Sequence, residues 1–147
     1  MILVYGADAA VMEWVQQRTP WVEGFGDARA IGVARDGKLI AGLVYLNYRK
    51  TNIEICLAAD DSRWCRKGVL AALFHFPFIQ LRVRRMTAII PASNERSLRL
   101  GEGLGFVREG RHEGLFANGE AGISMGLLRE NCRWLGDIAD VDKRQAA

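Results

Sequence analysis

The sequence predicts a mixed α/β fold, in which a central sheet carries helices packed on its faces. Three observations predict it: the 147 residues suit one domain with a sizeable core, half of them are hydrophobic, and strand and helix patterns follow one another along the whole chain. We expect a single domain over residues 1–135, followed by a polar C-terminal tail, residues 136–147, that we expect to be disordered.

The first half of the chain has the pattern of a strand, a helix and three further strands. Ile2–Tyr5 is a short apolar run, and Ala7–Arg18 spaces its apolar residues as a helix does and ends before Pro20. An Asp-Gly pair at positions 36 and 37 lies between two apolar runs, and it predicts a hairpin because glycine accepts the positive φ of a tight turn. Asn52–Ala58, rich in β-branched and apolar residues, is the next predicted strand.

A buried helix with an interruption follows. Good helix formers after Gly68 predict a helix to about Leu81, but Pro77 removes a backbone donor and crowds the preceding turn, so we expect a kink or two helical pieces. Arg84–Ile90 is the next predicted strand. Four aromatic residues of this region are expected in the core or at a dimer contact: Trp64, Phe74, Phe76 and Phe78.

The last predicted elements are a capped helix and two strands. Asn94 caps a helix over Glu95–Leu104, and Gly105 ends it. Phe106–Arg111 and Ala121–Leu128 are predicted strands on either side of an Asn-Gly turn. The resulting order of elements implies a mixed sheet with helices on its faces.

Composition excludes several classes of protein. No apolar run is long enough to span a membrane, and the N-terminus lacks a secretory signal, so we expect a cytoplasmic protein without a membrane partner. Three widely spaced cysteines support neither a disulfide framework nor a zinc site, and we expect buried free thiols. The two histidines have no partner at metal-ligand spacing, so we expect no metal.

Positive charge is concentrated in the middle of the sequence. The formal net charge is +3, but residues 62–111 hold ten Lys or Arg against three Glu, a net +7, and the remainder sums to −4. This segment should attract anions. A phosphorylated cofactor, a nucleic acid and an acidic protein are three kinds of ligand with the negative charge to bind there. A nucleic-acid partner is the least favoured, because no helix-turn-helix or exposed aromatic platform accompanies the charge.

The start of the predicted middle helix is a candidate anion site. The first N–H groups of a helix lack intrahelical partners, so the Arg-Lys-Gly-Val run at positions 66 to 69 has the pattern of a diphosphate cradle. The alternative is that Gly68 only makes a turn. A second glycine and the Lys-Ser/Thr pair of a P-loop are absent. The glycines at 101, 103 and 105 follow a helix and precede a strand, which is the wrong place for a dinucleotide fingerprint.

Two runs together resemble the acetyl-CoA-binding half of the GNAT N-acetyltransferases. They are Arg66–Leu73 and, after a strand, Asn94–Gly110, with its asparagine, a small residue three positions on, Leu-Gly-Phe and Glu-Gly. The resemblance covers Ile31–Leu128 and implies the GNAT-like acyl-CoA N-acyltransferase fold, with a largely antiparallel central sheet. The Phe-Pro-Phe break and the segment Glu130–Leu135 also resemble small GNAT-like proteins encoded by bacteriophages.

This resemblance implies a function and a set of site residues. It implies transfer of an acetyl group from acetyl-CoA to a primary amine, on a small molecule or a protein, by direct attack in a ternary complex. Glu54 takes the place of the general base, although a solvent-facing glutamate is the alternative. The residues that would bind acetyl-CoA are Leu57, Ala58 and Ala59 for the thioester carbonyl and pantetheine, Arg66, Lys67, Gly68, Val69, Leu70 and Ala71 for the diphosphate, and Asn94 and Ser97 for pantetheine.

The sequence departs from the family pattern at three positions. Cys65 replaces the polar residue of the loop, Leu70 replaces its second glycine, and Gly101 stands where the family often has the tyrosine that protonates the leaving thiolate. Tyr45, Tyr48, His112 or water are then the candidates for the acid. The rival function is a catalytically weak or inactive GNAT-fold binding or structural protein, such as a phage component. A sheet edge near the C-terminus is the candidate surface for a homodimer.

Overall fold

Residues 1–137, which a computed structural model describes, build one seven-stranded sheet. The strands are β1 (Ile2–Val4), β2 (Arg29–Arg35), β3 (Lys38–Leu46), β4 (Asn52–Ala59), β5 (Arg85–Pro91), β6 (Val107–His112) and β7 (Gly122–Leu128). They lie in the order β1-β2-β3-β4-β5-β7-β6, with β4 and β5 parallel and the other described neighbours antiparallel. The predicted mixed, largely antiparallel sheet is confirmed.

Within the described residues, three α-helices cover the two faces of this sheet. They are α1 (Asp8–Gln16), α2 (Lys67–His75) and α3 (Glu95–Leu104). The valines of α1 pack over β2 and β3, whereas α2 and α3 pack on the opposite face. We call these two sides the α1 face and the α2/α3 face.

The predicted interruption by Pro77 is confirmed as two helical pieces. The α-helix ends at His75, and a π-helical segment, Phe76–Gln80, continues it. The Leu81 N–H donates to the Phe76 carbonyl at 3.0 Å, a bond that spans five residues. A proline cannot donate to the preceding turn, and a widened turn accommodates the missing bond.

Most of the core lies on the α2/α3 face, and three of the four predicted core aromatics are in it. Trp64, Phe74 and Phe78 are buried, and Phe76 is half-buried against the Tyr45 ring at 4.9 Å between centroids. The core is smaller on the α1 face. There α1 approaches closely because β3 offers Gly42, where a Cβ would lie 2.7 Å from a Val15 methyl.

The predicted tail begins within the described residues and continues beyond them. Leu135–Asp137 forms a short 3-10 turn, which includes the first two residues of the segment expected to be disordered. The remainder, residues 138–147, lies outside the described residues. The domain boundary at residue 135 stays a prediction.

One irregularity of the sheet positions the site. β4 and β5 pair only from Asn52 opposite Arg85 to Ile55 opposite Ala88. Beyond this point β4 stays paired with β3 as far as Ala59, and β5 stays paired with β7 as far as Pro91. The two central strands therefore diverge and leave a gap in the middle of the sheet.

Candidate active site

A channel of about 540 Å³ occupies the gap between the diverging strands. Its wall combines the ends of β4 and β5, the segment after α1, the residues before α2 and the first turns of α3. The residues that the argument below uses are Thr19, Trp21, Cys56, Leu57, Ala59, Cys65, Ile89, Asn94, Arg96, Ser97 and Gly101.

The channel crosses the sheet from one face to the other. Thr19 and Trp21, which follow α1, line it on the α1 face, and Asn94 and Ser97 line it on the α2/α3 face. Two ligands that approach from opposite faces can therefore meet in the gap between β4 and β5. That arrangement is what a transfer reaction in a ternary complex needs.

Backbone groups of β4 face the gap without a partner strand. The Asp60 N–H donates to the Ile40 carbonyl of β3 at 2.8 Å, and the bonding direction alternates along an antiparallel strand. Leu57 and Ala59 therefore direct their N–H and C=O groups toward β5, beyond the last pair that β4 and β5 form. Such groups need a partner, and an extended chain that contains amide groups has the donors and acceptors to supply one.

The start of α2 lies beside the channel and is basic. Trp64 and Cys65 line the channel, and α2 begins two residues later with Arg66 as its N-terminal flanking residue. Helix geometry leaves the N–H groups of Lys67, Gly68 and Val69 without intrahelical partners. These groups, with their positive partial charge, form a candidate cradle for a diphosphate.

The exposed cations at this mouth are available to an anion. Arg66, Lys67 and Arg96 form no ion pair within residues 1–137. Arg63 is different, because it hydrogen-bonds to Asp61 and holds the pKa of that carboxyl at about 2. Arg66, Lys67 and Arg96 are therefore the cations that an anion can meet at this mouth.

The predicted diphosphate residues divide into two groups. Arg66 and Lys67 are exposed and Gly68 is half-buried, so all three can meet a ligand. Leu70 and Ala71 have buried side chains, and the Leu70 N–H already donates to the Arg66 carbonyl at 2.9 Å. Any contact of this segment with a diphosphate therefore falls to the residues before Leu70.

Asn94 and Ser97 sit together at the start of α3. The Asn94 Oδ1 accepts a hydrogen bond from the Ser97 N–H at 3.1 Å, which confirms the predicted cap. Both residues also line the channel. The cap fixes the first turn of α3 against the α2/α3 mouth.

Glu54 lies on the α1 face, one step along β4 from the channel. The channel wall does not include it, but Cys56, the next residue on the same face of β4, does line the channel. Glu54 is half-buried, lies opposite Thr87 of β5, and forms no ion pair within the described part of the chain. Glu54 therefore lies next to a channel residue on the α1 face without lining the channel itself.

The Cys56 thiol in the channel wall is a poor nucleophile. Burial raises its pKa to about 12, and hydrogen bonds with the Trp21 and Thr19 side chains offset this only in part. A thiol with such a pKa stays protonated at neutral pH, so a covalent acetyl-cysteine is disfavoured. Sequence reasoning missed Cys56 and Trp21, because no local pattern shows that the segment after α1 meets the end of β4.

The expectation of buried free thiols is wrong in one case. All three cysteines are free, and Cys56 and Cys132 are half-buried, but Cys65 is exposed at the channel mouth. Loop residues that precede a helix remain at the surface when the helix buries its other side.

Two of the predicted proton donors are in the wrong place. Tyr45 is fully buried on the α2/α3 side, its hydroxyl donates to the Leu73 carbonyl at 2.6 Å, and burial raises its pKa well above the usual range. Tyr48 is exposed and lines a different cleft, at the other end of the sheet. The third candidate, His112, lies on the α1 face, within hydrogen-bond distance of Ser124.

At Gly101 the Met125 side chain fills the space that a larger residue would need in the channel wall. A Cβ built on Gly101 would lie 3.0 Å from the Met125 sulfur, so a larger side chain does not fit without moving Met125.

In the part of the chain that the structure describes, no cluster of three or more His, Cys, Asp or Glu side chains could hold a metal ion, and no helix is long and apolar enough to cross a membrane.

Comparison with known proteins gives a match at the level of structure. No family model and no curated protein matches the sequence. A chimeric spermidine N-acetyltransferase SpeG from Vibrio cholerae matches with a TM-score of 0.68 at 14% identity, over 88% of this chain and 96% of that chain. The N-acetyltransferase PseH from Campylobacter jejuni, solved in complex with acetyl coenzyme A, matches with a TM-score of 0.53 at 19% identity, over 71% and 70%.

A probable acetyltransferase matches with a TM-score of 0.59 at 23% identity, over 71% of this chain and 64% of that chain, so the present chain spans less than two thirds of that protein. Another match is an acetyltransferase of the GNAT family from Bacillus anthracis. This chain has the GNAT acetyltransferase fold. The fold that the sequence predicted is therefore confirmed.

Proposed function

We propose that this protein is an N-acetyltransferase that moves an acetyl group from acetyl-CoA to a primary amine. The observation that carries the proposal is the channel through the sheet, where Leu57 and Ala59 direct unpaired backbone groups into the gap between β4 and β5. Spermidine N-acetyltransferase SpeG and PseH with its acetyl coenzyme A have the same fold, which supports the choice of donor.

Acetyl-CoA fits the α2/α3 mouth of the channel. The N–H groups at the start of α2, together with Arg66 and Lys67, bind the diphosphate. Asn94 and Ser97 at the start of α3 border the path of pantetheine, and Leu57 and Ala59 accept and donate hydrogen bonds to it. This is the set that the resemblance implies, apart from Leu70 and Ala71, which are buried, and Ala58, whose backbone groups face β3.

The acceptor amine enters from the α1 face and attacks the thioester directly. A lysine-type amine has a pKa of about 10.4, so it must lose a proton before it attacks. Glu54 takes that proton through water, because it is on this face and without an ionic partner among residues 1–137. The neutral Cys56 thiol does not compete as a nucleophile.

Four expectations from the sequence stay predictions. They are the class of acceptor amine, the cytoplasmic location, the homodimer and the narrower resemblance to phage proteins. β6 is an edge strand of the sheet, and its Val107 side chain is 63% exposed, which is consistent with a second subunit pairing there.

One observation favours the rival function, a non-catalytic protein with the same fold. Gly101 places no side chain in the channel, and Met125 fills the space beside it, so α3 contributes no proton donor there. A binding protein would keep the channel and the basic mouth without this group.

Calorimetric titration with acetyl-CoA, and separately with CoA, tests the proposal. We expect micromolar binding of both, followed by release of CoA thiol when a primary amine is added. The amines to be compared are spermidine, tyramine, glucosamine and a peptide that ends in lysine. No binding at millimolar concentration would refute the proposal, and binding without turnover of any amine would favour the non-catalytic rival.

A further inference from the structure

The α1 face continues beyond Glu54 across β5, β7 and β6. There the rings of Trp21 and Phe116 pack against each other with 4.8 Å between centroids and an angle of 54° between their planes. Trp21 comes from the segment after α1 and Phe116 from the β6–β7 loop. Below this ring pair, Arg85 and Glu109 form an ion pair that lies across Gly126 of β7. The surface between the ring pair and the ion pair is polar and adjoins the channel.

Ser124 lies on this surface, one strand away from the channel. It is directly opposite Ile89 in the ladder between β5 and β7, and Ile89 lines the channel. Residues directly opposite in an antiparallel ladder have Cβ atoms about 4.5–5.5 Å apart. Ser124 itself does not line the channel, but this spacing places it beside a residue of the channel wall, on the face from which the amine enters.

His112 is the hydrogen-bond partner of Ser124. Its Nε2 lies 3.0 Å from the Ser124 Oγ, and the His112 side chain is exposed at the end of β6. A Cβ at Gly110 would come within 3.3 Å of the Ser124 Oγ and 3.6 Å of the His112 Nε2. Glycine at position 110 therefore leaves room for this pair.

The charged groups around His112 are already engaged. On its own strand, Arg111 pairs with Glu113 of the following loop and Glu109 pairs with Arg85. In the same loop, the Glu120 carboxylate accepts a hydrogen bond from the Ser93 N–H. From β7, the strand packed beside β6, the polar side chain on this face is Ser124, with Gly122 and Gly126 on either side.

We propose that Ser124 and His112 form a proton relay for the acceptor amine. Glu54 takes the first proton of the ammonium form through water, which frees the lone pair that attacks the acetyl carbonyl. The N–H of the tetrahedral intermediate then passes the second proton to the Ser124 Oγ, the Ser124 hydroxyl proton passes to the His112 Nε2, and the exposed imidazolium releases a proton to solvent. This inference rests on the proposed function, and it makes Ser124 the group in contact with substrate and His112 a positioning residue that acts through it.

The relay has a physical advantage over a carboxylate alone. The group at the end of a relay must return its proton to solvent between turnovers. His112 is exposed, so it exchanges its proton with bulk water between turnovers. Glu54, on the other side of Ile89, keeps the face negative and attracts the ammonium form of the substrate.

Three variants and one matched control test the relay. Ser124→Ala and His112→Gln should each lower kcat for the best amine of the panel by about 10- to 100-fold, with the acetyl-CoA Kd and the amine KM within about twofold of wild type. Ser124→Thr keeps a hydroxyl and should retain most of the activity. His75→Gln, which changes the other histidine of the chain, at the end of α2, should behave as wild type.

The pH profile separates a proton relay from a structural effect. Wild-type kcat should decline on the acid side of its pH profile, and this acid limb should weaken in His112→Gln while it persists unchanged in His75→Gln. An unchanged kcat and limb in His112→Gln would overturn the relay alone, as would a change confined to the amine KM. Failure of wild-type protein to bind acetyl-CoA, or to acetylate any amine of the panel, would overturn the proposed function and the relay with it.

Discussion

Replacing Gly68 by aspartate separates cofactor binding from folding at the start of α2. Position 68 is the second residue of the helix. A carboxylate there interacts favourably with the helix dipole by about 0.3–1 kcal/mol, so the fold is not weakened. The same carboxylate repels a bound diphosphate, because like charges about 4 Å apart interact by roughly 1 kcal/mol in water and roughly 4 kcal/mol near a protein surface.

The expected result is a loss of affinity without a loss of stability. A repulsion of about 1.4–2.8 kcal/mol raises the acetyl-CoA Kd by about 10- to 100-fold in calorimetry, while the Tm stays unchanged or rises by a few degrees. Gly103→Asp is the matched control, because it adds the same group near the end of α3, where a Cβ has open space. There the helix dipole disfavours the carboxylate, so the Tm falls slightly and the Kd does not change.

Two results would refute this reasoning. An unchanged Kd in Gly68→Asp would show that the diphosphate does not bind at the start of α2. An equal loss of affinity in Gly68→Asp and Gly103→Asp would show that net charge, and not the position of the helix start, controls binding.

Three further predictions concern the channel and the core. Glu54→Gln should lower kcat at neutral pH by about tenfold or more in the thiol-release assay and leave the acetyl-CoA Kd unchanged. An unaltered kcat would show that Glu54 is not a base in the reaction. Burial raises the pKa of the Cys56 thiol to about 12, so the unfolded chain loses this proton first, and the free energy of unfolding falls from about pH 9 upward. In Cys56→Ala that fall should be smaller by about 1–2 kcal/mol between pH 8 and pH 10 in urea unfolding, and an identical fall would contradict the burial of the thiol. Gly42→Ala should lower the free energy of unfolding by about 1–3 kcal/mol, because its Cβ would lie 2.7 Å from a Val15 methyl, and Val15→Ala in the same chain should restore part of the loss.

Features of the fold that depend on near neighbours could be predicted from the sequence. The Asp-Gly hairpin is confirmed with Asp36 at a φ of 53° and Gly37 at 79°, and the Asn94 cap and the break at Pro77 are confirmed as well. In each case the cause is a backbone preference, a side-chain cap or a missing N–H that acts within a few residues. The local sequence is therefore enough to predict the feature.

Features that depend on tertiary contacts could not be predicted. Tyr45 has a phenol that suits a proton donor, but the alternation of β3 directs it into the core toward Leu73. Trp21 has no motif around it, yet the ion pair between Arg18 and Asp60 at 2.9 Å ties the end of α1 to the end of β4 and brings Trp21 to the channel. The site is built from segments far apart in sequence, and local patterns do not show which of them meet.

Gly101 supplies no proton donor for the leaving thiolate, but this absence costs the proposed acetyl transfer little. A thiol has a pKa of about 8.5, so a thiolate that leaves without its proton at pH 7 forgoes only about 2 kcal/mol. An amine with a pKa of about 10.4 must lose a proton at a cost of about 4–5 kcal/mol at the same pH. Removing the proton from the amine therefore costs more free energy than releasing the thiolate, and Glu54, Ser124 and His112 all lie on the α1 face where the amine enters. Met125 can then fill the space beside Gly101 without abolishing acetyl transfer.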